Sequence, residues 1–500
     1  MRSHPPATFV LAAFWASACT LGALGCASPR GAGGTSTSTA SPARTTGPGA
    51  HAASPAREVD QATLGALTLR KWRLDNGLTI LTAPDPGARS VSYLSVFRTG
   101  SRDDDAAAGR TGLAHLLEHL MFTGSAGGPG VAPAEQRARP ATSAFDRQME
   151  EVGGTSNAMT YYDFTAYADD VPPESLERTI ALEAARLTSL ALSPEQFAGE
   201  REVVIEERLA SSEDNVDGLL DEMLYGQAFV THPYRFPIVG RMADIQALTK
   251  SDVEAFYARH YRPDQAIVVV AGRFDVPAAV NAIAAAYGRI PGADHAAAEL
   301  APSDVPATAA TATARAAIER PVIADRFVIG HIAPALGHAD RAAFELLDEV
   351  LAGGPSSRLA RLLIVERELA SSVDGDVAPT RDPGLWSLWV QMREGHRAAE
   401  AESLIARELG RVMADPVPAA ELDAARSRVE TGFWRDIASS HGRAERLGHF
   451  EVATGDYRNL IARGAAYDTV TATDVQRVAR AYLTGGPRAV VVARPKGGTP

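Results

Sequence analysis

Apolar and polar positions alternate from Leu69 to Thr82, interrupted by Asp75-Asn76-Gly77, which predicts two strands joined by a tight turn. Val91 to Arg98 predicts another strand, and Thr99-Gly100-Ser101-Arg102-Asp103 turns the chain out of it. The period changes at Gly112-Leu113-Ala114-His115-Leu116-Leu117-Glu118-His119-Leu120-Met121-Phe122, which reads as one amphipathic helix. Three polar side chains stand inside its otherwise apolar run. Ser125 to Thr142, rich in Gly, Pro and Ala, predicts a loop. Phe145 to Val152 predicts a helix that Gly153-Gly154 stops, and Thr155 to Ala168 has a β-rich composition. Pro173 to Leu192 and Pro194 to Ser211 carry long helical periodicity.

Part of this pattern returns. Thr249, Asp252-Val253 and Val268-Val269-Val270-Ala271 recur 222 residues later as Thr471, Asp474-Val475 and Val490-Val491-Val492-Ala493, since 471-249, 474-252 and 493-271 agree. Tyr261 and Tyr482 match with a one-residue slip. Two such units predict a two-lobed body, with residues 58–290 as the first lobe and 321–500 as the second. The Ala-, Thr- and Pro-rich stretch 291–320 reads as the linker between them. At this offset, His115 to His119 lands on Gly337-His338-Ala339-Asp340-Arg341, so the histidine pattern is confined to one lobe.

Composition narrows the function classes. At 500 residues and 45% hydrophobic, the chain can build more than one core. A net charge of -12 without a basic cluster argues against nucleic acid. The only cysteines, Cys19 and Cys26, lie near the N-terminus, so neither a disulfide framework nor a cysteine zinc site can support the folded part. Residues 1–26 read as an export signal: Arg2, then an uncharged apolar stretch from Ala7 to Gly25. Ala23-Leu24-Gly25-Cys26 resembles a bacterial lipobox, in which Cys26 would be lipidated, although Leu is preferred where Ala23 stands. Ordinary cleavage and an uncleaved anchor helix are the rival readings. Residues 27–57 hold little to bury and read as a flexible tether, suited to holding a body on the periplasmic side of a membrane.

The candidate chemistry centres on the helix. His115 and His119 lie one turn apart on the same face, a spacing at which two imidazoles grip one zinc ion, with Glu118 beside them to handle a proton. Catalytic zinc usually takes three protein ligands and a water, so a third ligand must come from elsewhere. Glu200 and Glu207 are seven apart and share a helical face, while Glu206 points away. Acidic helix faces are usually only solvated; opposite two histidines, this one is the place to seek a carboxylate ligand. His232, His260, His441 and His449 show no metal-site spacing and read as surface or packing residues. Trp72, Trp386 and Trp434 read as core.

Taken together, these residues resemble the pitrilysin/insulinase family of zinc metallopeptidases, in its shorter branch. The resemblance rests on Asp75-Asn76-Gly77-Leu78, the H-x-x-E-H helix with Phe122-Thr123-Gly124, Gly153-Gly154 before Asn157-Ala158, and Glu200 to Glu207. It continues through His232-Pro233-Tyr234 with Gly240, Tyr261-Arg262-Pro263 and Gly354-Pro355-Ser356-Ser357-Arg358-Leu359. It implies an α+β fold of two homologous lobes, each an antiparallel sheet with helices packed on it, only the first bearing zinc. It further implies one Zn²⁺ held by His115, His119 and Glu207, Glu118 as general base, Glu200 supporting the ligands from behind, and Asn157 on a strand that binds substrate. The implied activity is endopeptidase cleavage of peptides or unfolded segments inside a chamber.

Two departures stand out. The loop at 125–142 is longer than the resemblance implies. The Arg and Tyr expected in the second lobe, seven residues apart, fall on Ile364 and Ser371. With two repeat units where the family's chamber has four, the resemblance implies a related partner subunit supplying the missing lobes and the Arg/Tyr pair. The alternative is a non-catalytic assembly subunit that keeps a structural zinc.

Overall fold

A computed structural model describes residues 55–123, 144–292 and 313–496. The predicted export signal with Cys26, most of its tether and the loop predicted at 125–142 lie outside the described residues. Strands β1 (Arg57–Leu64), β2 (Leu67–Arg73), β3 (Thr79–Pro84), β4 (Val91–Phe97), β5 (Thr155–Thr160), β6 (Thr165–Val171) and β7 (Ala266–Gly272) form a first sheet ordered β1-β2-β3-β7-β4-β6-β5. Strands β8 (Ala314–Arg320), β9 (Arg326–Ala333), β10 (Ala370–Val377), β11 (Gly384–Met392) and β12 (Ala489–Pro495) form a second, ordered β10-β11-β9-β12-β8. The fold is α+β with two lobes.

Each sheet departs from the expected antiparallel pattern at one pair: β3 runs parallel to β7, and β12 parallel to β8. Parallel neighbours need a long connection, and the strands and helices that intervene in each lobe supply it. The predicted linkers are also too long. Arg57 belongs to β1 and residues 314–320 to β8, whose alternating Ala314, Ala316 and Ile318 pack on the core while its backbone pairs with β12.

The helices that position the site are α1 (Leu113–Thr123), α2 (Ala144–Glu151), α3 (Leu176–Thr188), α4 (Pro194–Arg208), α5 (Val216–Ala228), α6 (Lys250–His260), α7 (Val276–Tyr287), α8 (Arg341–Leu351), α9 (Ser440–Thr454) and α10 (Ala472–Leu483). The repeat seen in the sequence has a structural cause. Thr249 caps α6 through a reciprocal bond set with Asp252, and Thr471 caps α10 in the same way with Asp474; each helix feeds a valine-rich interior strand. The helix that follows β9 as α1 follows β4 is α8, which begins at Arg341. The positions corresponding to the histidine pattern therefore lie within α8, later than a constant offset places them, and its buried residues are Ala342, Ala343, Phe344, Leu346, Leu347, Val350 and Leu351 beside Arg341.

One face of each sheet packs on helices of its own lobe, and the other is covered by a helix from the opposite lobe. Leu447 and Phe450 of α9 join Leu94, Val96, Ile267 and Val269 of the first sheet in one core. Leu220 and Leu224 of α5 join Val328, Val491 and Ala493 of the second. The first exchange needs a glycine: a Cβ on Gly448 would stand 2.9 Å from Val96 and 3.2 Å from Leu94.

A buried polar network ties the lobes at their seam. Arg102 pairs with Asp163 at 2.7 Å and with Asp382 of the second lobe at 2.7 Å. The Tyr234 hydroxyl donates to Asp163 at 2.7 Å, and His232 Nε2 meets Asp382 at 3.1 Å. His232 and His449 are both buried at this seam, and each is hydrogen-bonded there, His449 Nε2 to the Pro379 carbonyl at 2.8 Å; Trp386 is core. Trp434 is not, being 48% exposed.

Within the second lobe, Glu345 is clamped by Arg341 at 2.6 Å, Arg463 at 2.5 Å and the Tyr467 hydroxyl at 2.5 Å. Burial alone would raise its pKa, but the two guanidiniums and the hydroxyl hold it down to about 2. A depressed carboxyl stabilises the fold above its unfolded pKa of about 4.5 and loses that contribution as pH falls toward about 2. Glu345→Gln should therefore lower the melting temperature at pH 7. Thermal scans across pH should show the gap from wild type closing as pH falls below about 4.5.

Candidate metal centre

Helix α1 is set in place before its chemistry begins. The Asp104 carboxylate accepts the N–H groups of Gly112 at 2.6 Å and Ala114 at 2.9 Å, so the helix start is satisfied from within the fold. Gly112 has φ +90°, and a Cβ there would lie 2.6 Å from the Val239 carbonyl oxygen, so only glycine lets the chain turn into the helix so close to the turn that ends at Gly240. Leu113, Ala114, Leu116, Leu117, Leu120 and Met121 are buried in the first core. His115 and His119 are consequently turned toward α4, and Glu118 toward Thr160 of β5.

Helix α4 starts with a reciprocal cap between Ser193 and Gln196, and its last turn carries Glu207. The Gln196 side chain donates to the carbonyl of Thr123, at the end of α1, at 2.7 Å. At the other end Glu207 faces His115, so the two helices run antiparallel. Arg201 anchors α4 from outside by donating to the Leu248 carbonyl at 3.2 Å. Glu206 is exposed, as its place on the helix predicts.

This packing brings His115, His119 and Glu207 together, with one ligand atom from each lying within 4.8 Å of the others. His115 Nε2 is 3.6 Å from Glu207 Oε1, and His119 Nε2 is 3.3 Å from Glu207 Oε2. Ligands about 2.0–2.1 Å from a tetrahedral zinc stand roughly 3.3 Å apart, so the spacing suits that ion. Two histidines and one carboxylate also match the donor set of a catalytic site with its fourth position open. The Nδ1 atom of His119 lies 3.5 Å from Glu200 Oε2, the kind of outer contact that fixes a ligand's tautomer and orientation. These residues fit zinc.

Electrostatics follow from burial and from this crowding. Burial, helped by the neighbouring His119, lowers His115 to about 4, which keeps it neutral and ready to ligate. Burial also pulls His119 down, but the contacts with Glu200 and Glu207 outweigh it and raise its pKa to about 10. Zinc must displace that proton, so metal loading releases it. Burial would raise Glu207, and the two histidines overcome it to leave its pKa lowered. Glu118 is raised by burial to about 7, against the opposing pull of a hydrogen bond from Thr160.

Two family models match the chain: insulinase (peptidase family M16) over residues 79–241, and the peptidase M16 inactive domain over residues 247–429. The chain belongs to the insulinase-like M16 peptidase family. It is 27% identical over 428 residues to the zinc protease PqqE of Helicobacter pylori, covering 84% of this chain and 92% of that protein. It is 25% identical over 436 residues to the mitochondrial-processing peptidase subunit beta of Blastocladiella emersonii, covering 85% and 88%. A protease from Helicobacter pylori of known crystal structure shares the fold, with a TM-score of 0.76 at 24% identity over 85% of this chain and 99% of that one.

The remaining predicted residues of this M16 chain fall in different places. Asn157 lies on β5, the edge strand of the first sheet, where its Oδ1 accepts the N–H of Ala158 at 2.8 Å. Ala158 packs toward the core that holds α1 and Met159 toward the opposite one, so Asn157, in step with Met159, turns its side chain away from the metal ligands. Ile364 packs against the second core, and the Ser371 hydroxyl donates to the Gln391 carbonyl at 3.2 Å. Sequence reading missed Asp104 and Thr160. The period-two step from Ala158 places Thr160 on the α1 face once the structure shows which core Ala158 meets.

Zinc titration of purified variants should separate ligands from support. His115→Ala, His119→Ala and Glu207→Gln should each abolish stoichiometric zinc, whereas Glu200→Gln should weaken affinity roughly 10- to 100-fold without abolishing it. Competition with a chromophoric chelator measures both.

Proposed function

We propose that this chain is a zinc-dependent endopeptidase acting on peptides or unfolded polypeptide segments. The observation that carries the reading is Glu118, a buried carboxylate beside an open His-His-Glu donor set rather than a fourth ligand closing it. Bound zinc would bring a water's pKa toward neutrality and polarise the scissile carbonyl. Glu118 takes the proton from that water; its burial makes the carboxylate a stronger base than an exposed one, which helps it accept the proton. It then delivers the proton to the departing amine nitrogen. The outer edge of β5, which pairs with no other strand among the described residues, supports docking of an extended peptide through backbone hydrogen bonds, with Asn157 contributing through the strand.

The chain also needs what its second lobe lacks. Ile364 has no donor, and Ser371 commits its hydroxyl to Gln391. A related partner subunit carrying the Arg/Tyr pair would complete the site, and this chain would be its zinc-bearing member, with one Zn²⁺ per chain. Residues 1–26 support export as a lipoprotein, with Cys26 as the acylated residue on the periplasmic side of a bacterial membrane. Among the described residues, no helix is long and apolar enough to cross a membrane. Cys26→Ala should abolish incorporation of radiolabelled palmitate and move the protein from the membrane to the soluble fraction; unchanged labelling rejects the anchor.

The missing Arg/Tyr pair favours the alternative of an assembly subunit with a structural zinc. Peptidase assays on an unfolded-peptide pool decide between them, run on the chain alone and with any co-purifying subunit. Glu118→Gln should reduce kcat by roughly 10²- to 10⁴-fold while zinc content stays at one per chain. Wild-type protein that is zinc-loaded and inactive in both settings selects the assembly role.

A further inference from the structure

Thr160 is the last residue of β5, and its hydroxyl donates to Glu118 Oε2 at 2.5 Å. No other side-chain hydrogen bond to Glu118 is present among the described residues. The backbone at Glu118 has little freedom, because α1 is buried on its flanks by Leu116, Leu117, Leu120 and Met121. Its carboxylate can still rotate about the side-chain torsions, and it stands close enough to His119 and Glu207 to feel both, the first attracting its charge and the second repelling it. Thr160 removes that freedom from a strand whose other edge pairs with no strand among the described residues.

We propose that Thr160 is a positioning residue: its hydroxyl holds the Glu118 carboxylate toward the reacting water and, as part of the strand to which a peptide adds, links substrate docking to that orientation. This rests on the endopeptidase reading and adds to it a residue that touches neither the metal nor the scissile bond. The hydroxyl is what matters. Valine keeps the β-branched shape that suits the strand but deletes the donor, while serine keeps the donor and deletes a methyl group.

The test compares full-length wild type, Thr160→Val and Thr160→Ser, each loaded with zinc and, where needed, assembled with its partner. Thr160→Val should lose about 10- to 100-fold in kcat, the worth of one hydrogen bond to a charged group, with KM within about twofold of wild type. Thr160→Ser should recover most of the loss, and zinc content should be the same in all three. A crystal structure of Thr160→Val should show the Glu118 carboxylate rotated from its wild-type position. The proposal is overturned if Thr160→Val keeps full kcat, if only KM changes, or if serine fails as badly as valine. Wild-type protein without activity would reject the endopeptidase reading instead. The crystal structure would then still decide the hold on Glu118: an unmoved carboxylate in the valine variant rejects it.

Discussion

The antiparallel packing of α1 against α4 is the constraint on which the centre depends. A pair of histidines four apart uses one face of one helix, and a pair of glutamates seven apart uses one face of the other. Only when the end of α1 meets the start of α4 do Glu200 and Glu207 fall opposite His119 and His115. Contacts at both ends enforce this: Gln196 on the Thr123 carbonyl, and Glu207 against both imidazoles. The apolar residues of α1 bury its remaining sides, so a costly set of close-packed charges is held by a helix that cannot swing away.

The second lobe repeats the architecture without the chemistry. Where α1 carries His115, Glu118 and His119, α8 carries a largely apolar buried face and spends its charge on the Arg341–Glu345–Arg463 clamp. Its contribution to the first lobe is mechanical. Helix α9 covers the far side of the sheet whose edge is β5, and the Arg102–Asp163–Asp382 network fixes the seam. Buried ion pairs of this kind add little net stability but are strongly disruptive when one partner is removed, so they serve register between lobes better than strength.

Much of this was legible in the chain, for identifiable reasons. The histidine and glutamate spacings are helix-periodic, so they remain readable wherever the helices go. The recurrence of Thr249/Asp252 at Thr471/Asp474 is a local cap and shows without any tertiary context. What stayed hidden depends on distant parts of the chain. The parallel β3–β7 and β8–β12 pairs join strands far apart in each lobe's sequence, and the short apolar alternation of residues 314–320 gives no sign that its partner is β12. The cross-lobe cover by α5 and α9 is invisible to periodicity, which reports that a face is apolar but not what covers it. Thr160 was overlooked because a threonine ending a strand carries no motif, and its partner lies 42 residues earlier.

X-ray absorption at the zinc edge tests most directly whether the site is an open two-histidine, one-carboxylate zinc centre. Zinc-loaded wild type should show two imidazole ligands with the remaining shell made of oxygen at about 2.0–2.1 Å. A small hydroxamate should enter that shell, because one position is exchangeable. A shell of four protein ligands that ignores the hydroxamate, or one with fewer than two imidazoles, would contradict the account.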